Sequence, residues 1–407
     1  MIVEPPLGPT TPEDQVAALA DSVRQAPERR DLLVALLPER LPLYQGRSAN
    51  ETIRMRGYIL ASFEQAGLPD EALPFVCEEL ESGRDAYLVA AAARAVRGMQ
   101  RPSSELAPFL VNAIDNIKYV DDAVTFEQYR PQWPLTRHTT ALVEIFRTLG
   151  WLGEQARSVL PGLEAMESGV QLSAVARGEL QNAIEKIRSH QASAAGACCC
   201  GTKAVRALVN PPSPAWPSGV MPDVDFEDQD GTRLRYDDLF GGKPSIAVFF
   251  YTRCPNPNKC SLTIAKLAEL QNAIGVEGLS GKLRTVAITY DPEFDVPARL
   301  RAYGSDRGVM FNDDHRMVRT RRGFVELQER FQLGVNFTGS TVNRHRIELF
   351  IVDSDGDIAV TFARLQWEVA EVLGCARRTV TAATKGAATL GDTNALLTVP
   401  KKQETAR

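Results

Sequence analysis

No run of about 18 consecutive apolar residues occurs anywhere in the chain, so a membrane-spanning helix is not expected. The N-terminus, Met-Ile-Val-Glu-Pro-Pro-Leu, also lacks the basic region and apolar stretch of a secretory leader, and the expected location is the cytoplasm. A basic excess is missing too: 46 Lys and Arg face 51 Asp and Glu, a formal net charge of −5. That balance excludes a general nucleic-acid binder, because no surplus cation is left to neutralise phosphates. The one Arg-rich run, Arg316 to Arg322, reads as a solvated face.

What is present is the composition of a globular protein, with 44% apolar and 24% charged residues. At 407 residues the chain is too long for one core and suggests two or three domains. Seven cysteines are present: Cys77, Cys198, Cys199, Cys200, Cys254, Cys260 and Cys375. Five of them fall in two tight groups, which suits metal binding or redox chemistry better than a disulfide framework.

From Thr11 to His190 the pattern is helical, with Gly, Pro and polar breaks between segments. Apolar residues recur at helical spacing in Leu88, Val89, Ala92, Ala95 and Val96, and again in Leu142, Ile145, Phe146 and Leu149. An internal repeat is visible: Arg94 to Leu110 aligns without gaps with Arg147 to Leu163, placing Pro108 on Pro161 and Leu110 on Leu163. The second copy resembles a HEAT repeat, a helix ending near Leu-Gly and then a helix with Pro in its first turns, where a missing N–H costs nothing. Such pairs stack because none buries its apolar face alone. The expectation for residues 1–190 is an all-α HEAT-like solenoid. The aromatic insertion Lys118 to Pro134 should pack over the next helix, and Cys77 should be a small buried hydrophobe.

Residues 191–221 change abruptly to small residues and Pro, as an interdomain linker does. Within it lie Cys198, Cys199 and Cys200, followed by Gly201. Three consecutive thiols in a Gly-flanked stretch read as a soft-metal loop, as a thiol arm that meets other cysteines, or as small residues buried at a domain contact.

Beyond the linker, Val224 to Gly231 reads as a strand entering an Asp-Gly turn, with Thr232 to Tyr236 returning as its hairpin partner. Ser245 to Tyr251 is a continuous apolar run, as a buried central strand should be. Cys254 and Cys260 follow it, directly before the helical periodicity of Leu262, Ile264, Leu267 and Leu270. A helix N-terminus carries partial positive charge, and Lys259 adds a cation, so thiolate should be favoured over thiol. Cys375 falls on the last helix as packing, and His315 reads as a surface or helix-cap residue.

Three landmarks here resemble the Sco family of copper-binding, thiol-redox proteins. VDFEDQDGTRLRYDDLFGGKPSIAVFFYTRCP is similar to that family's entry hairpin, "GKP" strand and "YTxCP" motif. VAITYDPEFDVPARLRAY, from Val286 to Tyr303, resembles "DPxxDxPxxLxxY". His345, eleven residues before Gly356, resembles the family's metal-binding histidine ahead of a "VDxxG" turn. The resemblance implies an α/β thioredoxin-like domain over residues 222–378, with Cys254, Cys260 and His345 holding Cu(I) or Cu(II). It also implies that Asp291 orients a ligand. The family places three residues between its cysteines; here five intervene. Residues 379–407 read as a disordered tail.

Three functions are compatible with these residues. The domain binds copper and, as a chaperone, delivers it to a protein client or metalloprotein held by the helical-repeat surface. Alternatively it is a thiol-disulfide oxidoreductase, in which Cys254 attacks and Cys260 resolves while Cys198 to Cys200 shuttle equivalents. Or the solenoid is a scaffold and the second domain is inert.

Overall fold

The computed structural model describes residues 7–169, 172–189, 221 and 223–395. They form two packing units. The first holds the helices before residue 190 together with two later segments, Leu333–Ile347 and Ala363–Leu365. The second holds Val224 to Gln332, Glu348–Phe362 and the chain from Gln366. The sequence reading divides the chain contiguously at residues 190 and 222; the packing groups do not follow that order.

In the first unit the helices are α1 (Glu13–Gln25), α2 (Asp31–Val34), α3 (Ala49–Ala66), α4 (Leu73–Ser82), α5 (Ala86–Val96), α6 (Ala107–Ile117), α7 (Ala141–Leu152), α8 (Leu160–Gly169) and α9 (Ala174–Ser189). Their starts are set locally. Ser48 and Glu51 form a reciprocal capping box on α3, with the Glu51 carboxylate accepting the Ser48 N–H at 2.8 Å. Asp85 caps α5 by accepting the Leu88 N–H at 3.0 Å, and Thr140 caps α7. Helices α1, α3, α5, α7 and α9 pack in succession, while α4 packs on α5 and α6. The faces they bury are nearly continuous: Leu88 to Ala93, Ala95 and Val96 of α5 are all buried. Cys77 is fully buried in α4, as a small core hydrophobe. In the Lys118 to Pro134 insertion Phe126 stacks on Tyr87 and Tyr129 meets Tyr58 edge-on, while Tyr119 and Trp133 stay exposed.

The second unit is built on a seven-stranded mixed sheet in the order β2-β1-β5-β4-β3-β8-β9. Its strands are β1 (Asp225–Asp228), β2 (Arg233–Arg235), β3 (Ser245–Phe250), β4 (Arg284–Thr289), β5 (His315–Arg322), β8 (Glu348–Val352) and β9 (Ile358–Ala363); β6 (Val335–Thr338) and β7 (Thr341–His345) form a separate hairpin. The helices are α10 (Tyr236–Phe240), α11 (Leu262–Val276), α12 (Pro297–Ser305), α13 (Phe324–Arg330) and α14 (Val369–Ala395). Strands β3, β4 and β5 run parallel and β8 runs antiparallel to β3, the mixed arrangement of a thioredoxin-like fold. Every residue of β3 is buried, so its side chains alternate into apolar layers on both faces. On one face Phe249 packs with Phe331, Phe350 and Tyr290; on the other Phe250 stacks on Tyr303 of α12. Each such aromatic contributes roughly 1.5–3 kcal/mol by leaving water.

Three expectations need correction. His315 is neither a surface nor a cap residue: it is buried at the start of β5, 2.9 Å from the Thr285 hydroxyl. Burial lowers its pKa, because an imidazolium would be poorly solvated there. The Arg-rich run is not simply solvated, since Arg319 and Arg316 pair across the sheet with Glu227 and Asp228. Helix α14 runs on to Ala395, into the stretch read as a disordered tail, where alanines favour helix. Residues 396–407 and Cys198 to Cys200 lie outside the described residues.

Candidate metal centre

Strand β3 ends at Phe250, and the chain then turns through Tyr251 to Asn256 before entering α11. Entry to the helix is by one wide, π-type turn, Pro257–Ser261, which carries Cys260. The turn is organised from within: the Asn256 side chain accepts the Asn258 N–H at 3.0 Å. Gln366 holds it from outside, donating to the Asn258 carbonyl at 2.8 Å. The five residues between the cysteines are therefore an ordered loop. Cys260 is buried and Cys254 is half-buried, and both are thiols.

Asp295 braces the approach to Cys254. It accepts the Thr252 N–H at 3.0 Å and the Thr289 hydroxyl at 2.5 Å. Asp291 is buried and ion-paired with the guanidinium of Arg253, the residue before Cys254; that guanidinium also lies over the Phe294 ring.

His345 closes the group. It ends β7, opposite Val335 of β6, and its Nδ1 lies 3.0 Å from the Arg346 carbonyl. A carbonyl only accepts, so Nδ1 carries the proton and Nε2 the lone pair. One ligand atom each from Cys254, Cys260 and His345 lie within 4.8 Å of one another. Among the described residues this is the group of His, Cys, Asp and Glu side chains with metal-holding geometry.

The electrostatics do not match the simple helix-terminus argument. Burial first, then the hydrogen bond and charge of Cys254, push the Cys260 thiol well above its ordinary range. A hydrogen bond from the Tyr251 backbone and the nearby Lys259 pull the other way and are outweighed. Desolvation defeats the partial charge of the helix because the sulfur is sealed from water and faces a second sulfur. A metal ion reverses that balance by deprotonating the thiols it binds.

Two tyrosines complete the surroundings. Burial and the neighbouring sulfurs raise the pKa of Tyr251, which is hydrogen-bonded to Cys254. Tyr303 is raised by burial and by the same two sulfurs. Both lie inside the motif strings, yet nothing in their spacing marks them as neighbours of the thiols. Asp295 is the second Asp of the "DPxxDxP" string and was legible only as part of it.

Residues 217–380 match the SCO1/SenC family model. That match supports a Sco-type domain in the C-terminal region. A SCO1/SenC family lipoprotein from Bacillus anthracis is 20% identical, with 40% of this chain and 95% of that one covered and a TM-score of 0.35. ScoI of Bradyrhizobium japonicum, solved with copper bound, is 21% identical over 39% of this chain and 99% of that one, TM-score 0.32. Yeast Sco1 is 26% identical over 36% and 85%, TM-score 0.28. Among curated proteins none matches the chain. No helix among the described residues is long and apolar enough to cross a membrane.

Proposed function

We propose that the Sco-type domain, residues 222–378, binds copper through Cys254, Cys260 and His345. The observation that carries this reading is the convergence of two sulfurs and one imidazole within 4.8 Å. The donor set fits the ion: thiolates select Cu(I), and addition of an imidazole also suits Cu(II). Asp291 and the Tyr251 hydroxyl shape the surroundings of the sulfurs rather than serving as ligands. Support for the domain as a copper carrier comes also from Bradyrhizobium japonicum ScoI, whose structure holds copper.

The finer part of the proposal concerns delivery. The succession α1, α3, α5, α7, α9 is what a HEAT-like solenoid over residues 1–190 requires, and such a surface would hold the protein client or metalloprotein that receives the ion. Cys198 to Cys200, in the 191–221 linker, would serve as accessory thiols.

The test is an anaerobic Cu(I) titration of the reduced full-length protein against a competing chelator, with Cys254→Ser and His345→Ala alongside. One tight equivalent, lost in Cys254→Ser, is expected; in His345→Ala the Cu(II) spectrum should change. An unchanged spectrum in His345→Ala would remove the imidazole from the site.

A second reading, thiol-disulfide exchange, is favoured by the hydrogen bond between Cys254 and Cys260. Cys254 thiolate attacks a client disulfide and releases one client thiolate. The Cys260 thiolate then displaces the second, so that the client gains two electrons and the pair becomes a disulfide. Exchange activity that survives Cys260→Ser would exclude this cycle.

A further inference from the structure

His345 sits between two anchored neighbours. On the preceding residue, the Arg344 guanidinium is ion-paired with Glu79 of α4, and both side chains are largely buried. Two residues further on, the Ile347 carbonyl accepts the Arg364 N–H at 2.8 Å. The Arg364 side chain is itself bidentate to Glu39, at 2.9 and 3.0 Å, and reaches Glu78 at 2.8 Å. Both hairpin strands are tied as well: Asn336 of β6 donates to the Glu39 carbonyl at 3.0 Å, and Asn343 of β7 donates to the Thr52 hydroxyl at 3.1 Å. All of these residues belong to the first packing unit.

Charges of this kind are not easily rearranged. Removing one partner of a buried pair leaves its counter-ion poorly compensated away from water, which is strongly destabilising. Arg364 also holds a backbone φ of +77°, a region that is strained for a non-glycine residue and persists only where the surroundings over-determine it. Here the backbone bond to Ile347 and the side-chain bonds to Glu39 and Glu78 both act on it. The array's carboxylates thus grip the chain one residue before His345 and two after it.

We propose that Glu79, Glu39 and Glu78 of the helical array are positioning residues for the His345 imidazole. They act through Arg344 and Arg364, and the proposal rests on the copper reading of Cys254, Cys260 and His345. When the grip is intact the centre offers three donors, suited to both copper oxidation states. When it is released the centre offers two thiolates, which retain Cu(I) and hold Cu(II) poorly. The helical array therefore selects the oxidation state that the site retains.

Two readouts on the full-length protein test this. In the metal-free protein, exchange of the His345 C2 proton reports how well the buried ring is shielded, and Glu79→Gln should exchange faster. In the copper-loaded protein, Glu79→Gln should lose the nitrogen coupling in the Cu(II) resonance spectrum, with Cu(II) affinity falling about 10–100-fold, the usual effect of disturbing an outer-shell partner. Cu(I) affinity should be nearly unchanged, and Glu79→Asp should recover part of both signals. Asn343→Ala is the second variant, milder than loss of a buried charge partner, and should shift both readouts the same way. Wild-type exchange rates and nitrogen coupling in Glu79→Gln and Asn343→Ala would overturn the proposal while leaving the copper reading intact. A wild-type protein that takes up no copper would instead end the copper reading and with it the role assigned to the carboxylates.

Discussion

The Asp295 carboxylate accepts the backbone N–H of Thr252 at 3.0 Å, two residues ahead of Cys254. The same carboxylate accepts the Thr252 and Thr289 hydroxyls, so one buried acid ties the end of β4 to the loop that presents the thiol. Burial raises its pKa despite these donors, which each pull the other way.

Replacing Asp295 with Ala should leave the Thr252 N–H and the Thr289 hydroxyl without their acceptor. An unsatisfied buried donor costs about 1–3 kcal/mol, so urea unfolding should show a loss of at least that size. Cys254 should also react faster with a thiol reagent. A variant with wild-type stability and wild-type thiol reactivity would mean that the loop is held by other contacts.

Arg364→Ala should cost about 3–5 kcal/mol, because Glu39 and Glu78 would lose the buried cation they share, with Arg56 left to offset Glu39. Adding Glu39→Gln should recover part of that loss rather than add to it. The pair is then coupled, with an interaction term of about 0.5–3 kcal/mol in a double-mutant cycle. Strict additivity would show that the bidentate contact contributes nothing.

Glu39 predicts a pH dependence. Burial raises its pKa, but Arg364 and then Arg56 outweigh that and hold it well below the ordinary carboxylate range. The unfolded chain therefore binds the proton first as pH falls. The stability that Glu39 contributes is complete above the unfolded value, about 4.3, and is lost as pH drops through the folded value. The stability gap between wild type and Glu39→Gln, measured by urea midpoints from pH 7 downward, should narrow in acid. A constant gap would count against this account.

Two glycines of the helical array should respond oppositely to alanine. A Cβ on Gly98 would lie 1.9 Å from the Phe63 carbonyl oxygen, a backbone atom that cannot rotate away. A Cβ on Gly162, exposed in α8, would meet nothing within 4 Å. Gly162→Ala should stabilise by roughly 0.5–1 kcal/mol through helix propensity, whereas Gly98→Ala should destabilise and lower the melting temperature. Equal melting temperatures for the two variants would refute the packing argument.

Much of this was legible in the sequence because it depends on near neighbours along the chain. Most of the apolar run Ser245 to Tyr251 is the buried strand Ser245–Phe250, because six successive side chains need apolar cover on both faces. The Asp-Gly turn closes the hairpin of β1 and β2, pairing Phe226 with Leu234. The cysteine pair lies between strand and helix, as the change in periodicity at Leu262 indicated. Alanine-rich and capped segments became helices for the same local reasons.

What only the tertiary structure decided involves charges and rings that meet across long stretches of chain. Nothing near Arg364 in sequence foretells that Glu39 and Glu78 will neutralise it, or that Arg344 will find Glu79. His315 reads as a polar loop residue until the sheet covers it, and desolvation then lowers its pKa. Cys260 reads as an activated thiol until burial beside Cys254 raises it instead. Local sequence governs backbone geometry and which face is apolar, because those depend on torsions and spacing. Ion pairing and proton affinity depend on dielectric and distance, and both are quantities that exist only once the chain has packed.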